Sequence, residues 1–261
     1  MTAPAPAFVD RVAVEQALTP RAAVDALTCA IRAGLDPADD PPRIGVDLAH
    51  GQLLVMPSRT ARCAGLKAAT VAPANPAAGL PRIQASYLLF DNDTLALRAI
   101  IDGTALTTLR TPAVSVAAVG PALTRFRGPV SLVVFGAGPQ AVGHVATLAD
   151  AGVDIGEICH LVRHPARALL PPGVAVLDVT DPAADRRIEA ADIVVCATSA
   201  RRPLFDSALL RPTVVVIAVG SHEPDARELD GRLLDQAQVI VEDPATALRE
   251  AGDVICAVDE G

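Results

Sequence analysis

The segment running Ser131-Leu132-Val133-Val134-Phe135-Gly136-Ala137-Gly138-Pro139-Gln140-Ala141 has the residue types needed to hold a phosphate-bearing ligand. An apolar run too short for a helix empties into Gly-x-Gly-x-x-Ala, and a helix-like pattern follows. In such a turn the first glycine makes the bend and the second lets the backbone approach a pyrophosphate. The third small residue lets helix and strand pack closely. Amides at the helix start, aided by the helix dipole, would hold the anion. The string alone is common in an alanine-rich chain, so its strand–turn–helix context carries the expectation of a dinucleotide site.

The next decision falls at the end of the following strand. An acidic residue there would bond the ribose 2′-hydroxyl of NAD, whereas an arginine suits the 2′-phosphate of NADP. The sequence gives Leu161-Val162-Arg163-His164, with no acid, which favours NADP(H) over NAD(H). Arg163 also reads as a solvated strand cap. Two later strands end in small residues, at Ala197-Thr198-Ser199 and Ala218-Val219-Gly220-Ser221. Ligands of such sheets lie outside the carboxyl ends of the strands, so these ends should face the nicotinamide half. Thr198 reads equally as an ordinary turn hydroxyl.

Three cations, Arg43, Lys67 and Arg110, stand among otherwise apolar patterns in the first half. Guanidinium groups clamp carboxylates, and a desolvated lysine can donate a proton or polarise a carbonyl or imine. Each alone reads as a solvated surface cation, and sequence physics does not bring the three together.

The elements that must position these residues fall into two rhythms. Thr19-Pro20 starts a helix whose apolar spacing, Val24, Leu27 and Ile31, runs to Gly34. Strands are expected over 43–48, 52–57, 64–72, 84–91 and 94–102, consecutive and antiparallel. A helix follows over about 104–119, with Pro112 starting or kinking its second part. From Ser131 strands alternate with helices, at 131–135, 157–163, 174–177, 192–197, 213–219 and 238–242, with a helix over 140–151. Alternation of this kind predicts an α/β fold, a Rossmann-type doubly wound parallel sheet, beside an α+β domain. The domains are expected at 1–112 and 113–261.

Composition removes several classes of function. The chain has 261 residues, 51% of them hydrophobic and only 2% aromatic, with a net charge of −8. A core is easily afforded, whereas stacking platforms and basic tracts for nucleic acid are missing. Five scattered cysteines lack zinc spacing, so no metal site is expected and the thiols should be reduced. No signal peptide or membrane-spanning run is evident, which points to the cytoplasm and to no membrane partner.

Taken together, these blocks resemble the ornithine cyclodeaminase/mu-crystallin family. The matches are Pro42-Arg43-Ile44, Ala64-Gly65-Leu66-Lys67, Pro73-Ala74-Asn75 and the run from Asp102 through Arg110-Thr111 to Ser115. They continue through Gly136–Ala141, Ala191–Ser199, Ala218-Val219-Gly220, Pro224–Asp230 and Ala251-Gly252. The resemblance implies a substrate and dimerisation domain in the first half and hydride transfer at the α-carbon of an amino, imino or keto acid. It places Arg43, Lys67 and Arg110 around the carboxylate and reacting nitrogen of a small imino or amino acid. Gly136, Ala137, Gly138, Gln140, Ala141, Arg163, His164, Thr198 and Val219 would line the cofactor, with Thr111, Arg82 and Gln84 beside them. A homodimer formed through the substrate-domain sheet is also implied.

Two departures narrow the expectation. Cyclodeaminases carry an acid/base aspartate just after Val-Gly-x, and His222 takes that place here. His222 is thus a candidate proton shuttle, or a bystander at a strand end. The Pro-Asp-x-Arg-Glu-Leu-Asp continuation is closer to the mu-crystallin and ketimine reductase branch. Relatives usually continue several tens of residues past Gly252, so the resemblance implies a shortened tail. The leading expectation is NAD(P)H-dependent reduction of a cyclic ketimine or α-imino acid. The alternatives are ornithine or lysine cyclodeamination with bound NAD, an alanine-dehydrogenase-like reaction, and a non-catalytic binding protein.

Overall fold

The computed structural model describes residues 5–221 and 223–261. The chain divides into two compact units, Met1–Arg110 and Thr111–Gly261.

The first unit is built on a six-stranded sheet of β1 (Ala7–Val9), β2 (Ile44–Leu48), β3 (Gly51–Arg59), β4 (Cys63–Val71), β5 (Ile83–Asp91) and β6 (Leu97–Asp102). The strand order is β1-β6-β5-β4-β3-β2, with every pairing antiparallel except β1 with β6. The short parallel strand β1 has no counterpart in the sequence expectation. Helices α1 (Arg11–Ala17) and α2 (Pro20–Arg32) follow it. Thr19 caps α2 by accepting the Ala22 amide, which explains why the helix starts at Pro20. The last strand begins at Leu97 and not Thr94, because Asp91 Oδ1 accepts from the Thr94 amide and hydroxyl and closes a turn.

Helix α3 (Gly103–Leu123) carries both Pro112 and Pro121 inside one continuous element. Pro112 removes one amide but does not start a second helix. Asp102 Oδ1 accepts the Ala105 amide and fastens the start of α3 to the end of β6.

The second unit holds a parallel sheet of β7 (Val130–Phe135), β8 (Ile155–Val162), β9 (Ala175–Asp178), β10 (Ile193–Cys196) and β11 (Val215–Ala218), in the order β11-β10-β7-β8-β9. Counted from β7, the order is the 3-2-1-4-5 of a doubly wound nucleotide-binding sheet, reversing direction at the first strand. Its helices are α4 (Pro139–Asp150), α5 (Pro182–Ala190), α6 (Gly231–Gln236), α7 (Pro244–Glu250) and α8 (Gly252–Glu260). Val133, Phe135, Leu161, Ile188 and Val194 are at most 2% exposed and form the core of this sheet with its helices. Each contributes about 1.5–3 kcal/mol of burial.

The expected strand over 238–242 does not form. Val239 and Ile240 are about half exposed, at 49% and 54%, and β11 ends the sheet. A β-branched run becomes a strand only where a neighbour pairs with it, and here none of the described strands does.

Candidate functional site

In the second unit the turn after β7 has the shape its sequence requires. Gly136 adopts φ +108°, and a Cβ there would stand 2.7 Å from the Ala197 carbonyl oxygen. Gly138 is different. Its backbone is ordinary, with φ −81°, and a Cβ would meet nothing within 4 Å. The first glycine therefore serves the fold, and the second leaves open space at the helix start. Ala141 is fully buried and brings α4 close to the sheet.

Side chains cap α1, α2, α5, α6 and α7, whereas none caps α4 or α8. A 12-residue helix that points uncapped amides into open space next to a glycine turn suits a pyrophosphate. On this geometry the residues present fit a dinucleotide. Ala137 and Gln140 lie within the turn and the first turn of the helix.

Two buried histidines that the sequence analysis overlooked hold this turn. His160 on β8 stands with Nδ1 2.7 Å from the Gly136 carbonyl oxygen, and His144 on α4 with Nδ1 2.8 Å from that of Gln140. A carbonyl can only accept, so each Nδ1 carries the proton. Burial pulls both imidazoles below the usual histidine range. Their only signal in the sequence is a polar residue at an apolar position of a strand or helix.

At the end of β8, Arg163 and His164 are exposed. Thr198 follows β10 and Val219 follows β11, both half-buried, with the Val219 amide donating to Cys196 at 3.0 Å. Glu228, within the Pro224–Asp230 motif, is fully buried and accepts from Thr198 and Gly220. His222 lies outside the described residues.

In the first unit, the registers Met56↔Lys67 and Lys67↔Tyr87 put the Lys67 side chain in a row with Tyr87 and Met56 on one sheet face. Its face-neighbours along β4, Gly65 and Ala69, are both buried. Lys67 is thus a half-buried cation between two buried small residues on one face of the sheet. The Tyr87 ring lies over Gly65, for a Cβ there would meet the phenol oxygen at 1.8 Å. Burial raises the pKa of the Tyr87 phenol above its usual value, with Asp40 and Cys63 adding to the shift. Tyr87, the chain's one tyrosine, was not singled out from sequence. Strand register is what relates it to Lys67.

Arg43 stands one residue before the β2–β3 register opens at Ile44↔Val55. Arg110 closes the first unit on α3, and Thr111 opens the second. Gln84 lies on the face opposite Lys67. With Arg11, Thr70, Ser86, Asp102 and Thr108 it lines a cavity of about 560 Å³. Arg82, just before β5, accepts the Ala72 amide through its carbonyl. The structure therefore relates Lys67 to Tyr87 directly and sets Gln84 on the other side of the sheet.

A model of the ornithine cyclodeaminase/mu-crystallin family matches residues 5–260. This chain belongs to that family. A family member from Burkholderia ambifaria, Delta(1)-pyrroline-2-carboxylate reductase 2, is 33% identical over 228 residues, 83% of this chain and 70% of the relative. The mouse ketimine reductase mu-crystallin is 32% identical over 209 residues, 79% of this chain and 66% of the relative. Among solved structures, the Thermococcus litoralis Delta(1)-pyrroline-2-carboxylate reductase in complex with NADH and L-proline superposes with a TM-score of 0.84 at 25% identity, covering 98% of this chain and 81% of that one. A nicotinamide dinucleotide therefore occupies this fold in a family member. Among the described residues, no helix is long and apolar enough to cross a membrane.

Proposed function

We propose that this chain reduces a cyclic ketimine or α-imino acid to the amino acid, using NADPH in preference to NADH. The observation that carries the proposal is Lys67, a half-buried ammonium in register with Tyr87 and between buried Gly65 and Ala69, in a chain 33% identical to a pyrroline-2-carboxylate reductase. An ammonium so placed can donate a proton to an imine nitrogen, and a protonated imine is the better electrophile at carbon. Arg43 and Arg110 are the guanidinium groups suited to clamp the substrate carboxylate. When bound, the nicotinamide supplies the hydride that reaches the imine carbon. The C=N bond thus gains hydride at carbon and a proton at nitrogen, and the Lys67 amine regains its proton from water.

Gly136, Gly138 and the start of α4 would hold the pyrophosphate, with Thr198 and Val219 toward the nicotinamide. The exposed Arg163, with no acid beside it at the end of β8, supports the choice of NADP(H). The edge strand β2 leaves Ile44, Val46 and Leu48 at 58%, 44% and 51% exposed. An apolar edge of that kind is one that a homodimer would cover. Five free cysteines suit a reducing cytoplasm.

The test is NADPH oxidation by the purified chain with pyrroline- or piperideine-2-carboxylate, and turnover with either is expected. Turnover only with keto acids plus ammonia would replace this proposal with an alanine-dehydrogenase-like reaction. Proline and ammonia formed from ornithine would replace it with cyclodeamination. Dinucleotide binding without any turnover would leave a binding protein.

A further inference from the structure

Strands β10 and β11 stay paired as far as Cys196↔Ala218, after which the Val219 amide closes on the Cys196 carbonyl. Two residues further on, both backbone amides turn to one side chain. The Thr198 amide donates to Glu228 Oε1 at 2.7 Å, and the Gly220 amide donates to Glu228 Oε2 at 2.7 Å. One carboxylate therefore bridges the two strand ends.

The arrangement costs the fold something. Glu228 is 0% exposed, and burial pushes its carboxyl above the usual range despite the hydrogen bonds it accepts. What the carboxylate gains in return is three donors, the Thr198 and Gly220 amides and the Thr198 hydroxyl, held at one point by a single side chain. Gly220 is required for the approach, because a Cβ there would lie 2.0 Å from the Thr198 carbonyl oxygen and 2.7 Å from Glu228 Cδ. Glu228 is itself fixed. Its amide and that of Leu229 donate to Asp253 Oδ1 at 2.7 and 2.8 Å. The Asp253 amide donates to Ser221 Oγ, which in turn donates to the Ala226 carbonyl.

The consequence for Thr198 follows from counting protons. Its hydroxyl has one, and the 2.6 Å contact commits it to Glu228 Oε1. The Ala200 amide takes one lone pair at 3.1 Å. What remains is a single lone pair, so Thr198 can accept from a ligand and cannot donate to it. In a sheet ordered β9-β8-β7-β10-β11, a dinucleotide whose pyrophosphate sits after β7 and whose adenosine ribose reaches β8 must send its other half across the ends of β10 and β11.

We infer that Glu228 is a positioning residue for the nicotinamide half of the cofactor, setting the ends of β10 and β11 and turning the Thr198 hydroxyl into an acceptor for a carboxamide N–H. The inference rests on the dinucleotide-dependent reduction proposed above.

The test compares two ligands by calorimetry, NADPH and 2′-phospho-ADP-ribose, which lacks the nicotinamide. In Glu228→Gln the shape is kept, but one oxygen becomes an N–H donor facing another donor. NADPH should bind at least about tenfold more weakly, while 2′-phospho-ADP-ribose binds within about twofold of wild type. The change in NADPH fluorescence on binding should also be reduced. Glu228→Asp keeps the charge but falls one methylene short of serving both strands, and should give a smaller loss of the same selectivity. Equal loss of both ligands, or no loss of NADPH affinity, would overturn the inference. Failure of both variants to fold would overturn it too, making Glu228 a residue of the fold alone. A wild-type chain that binds neither NADPH nor NADH would instead sink the proposed function.

Discussion

His160 Nδ1 stands 2.7 Å from the carbonyl oxygen of Gly136, so the second strand of the parallel sheet fastens the turn that follows the first. His144 does the same for Gln140 from within α4, and its Nε2 lies 3.1 Å from Ser115 Oγ on α3. Both rings are at most 2% exposed, and burial lowers both from the ordinary value of 6.5. Above that value both states are neutral and the stability is intact. As pH falls below it, the unfolded chain binds protons that the folded chain refuses, and stability is lost until the lowered value is reached. The loss should approach about 1.4 kcal/mol per pH unit for each histidine in that window. Thermal melts between pH 8 and pH 5 should show it. His160→Asn, which keeps a donor near Nδ1 but does not titrate, should flatten the slope, and an unchanged slope would mean the ring titrates elsewhere.

The two glycines of the turn should separate fold from ligand. Gly136→Ala puts a Cβ 2.7 Å from the Ala197 oxygen at a positive φ, and backbone strain alone should cost about 1–3 kcal/mol of stability. Gly138→Ala meets nothing and keeps an ordinary φ, so stability should change by less than about 0.5 kcal/mol. Its methyl group enters the space proposed for the pyrophosphate, so dinucleotide affinity should drop about tenfold or more. Melting and titration calorimetry on the pair decide the matter. A Gly138→Ala chain with wild-type affinity would remove the pyrophosphate from that position.

Lys67 offers a cleaner separation of chemistry from binding. Lys67→Met keeps the unbranched stem between the buried Gly65 and Ala69 and deletes only the ammonium. Turnover of the cyclic imine should fall by about 10²–10⁴, the span of a lost general acid. Affinity for NADPH should hold. Steady-state rates within a few-fold of wild type would show that the imine takes its proton from another group.

What the sequence disclosed depended on how local the cause was. The Gly136–Ala141 turn was readable because Gly136, Gly138 and Ala141 set it within one short stretch of chain, and the start of α2 because Thr19 caps its own helix. The pairing of Tyr87 with Lys67 was hidden, since it follows from a register across 20 residues of chain. Glu228 was visible as part of a motif but not as a bridge, because Thr198 and Gly220 lie 30 and 8 residues away and meet it only at the ends of two paired strands. The run Val239–Val241 misled for the opposite reason. Its β-branched pattern is strong, but a strand needs a partner, and β11 is left as the edge.

Arg163 is the residue on which the proposed preference for NADP(H) rests. It is exposed at the end of β8, and His164 beside it is exposed as well. A 2′-phosphate placed there would gain a charge-assisted hydrogen bond, and a 2′-hydroxyl would gain little. Solvent screening reduces the gain at an exposed guanidinium, so about tenfold in affinity is the expected scale. In Arg163→Asp the carboxylate repels a 2′-phosphate and accepts from a 2′-hydroxyl, so NADPH should weaken and NADH should tighten. Parallel titrations of both cofactors against both proteins measure the ratio. If that ratio does not move, Arg163 is a solvated strand cap and the preference for NADP(H) loses its physical basis.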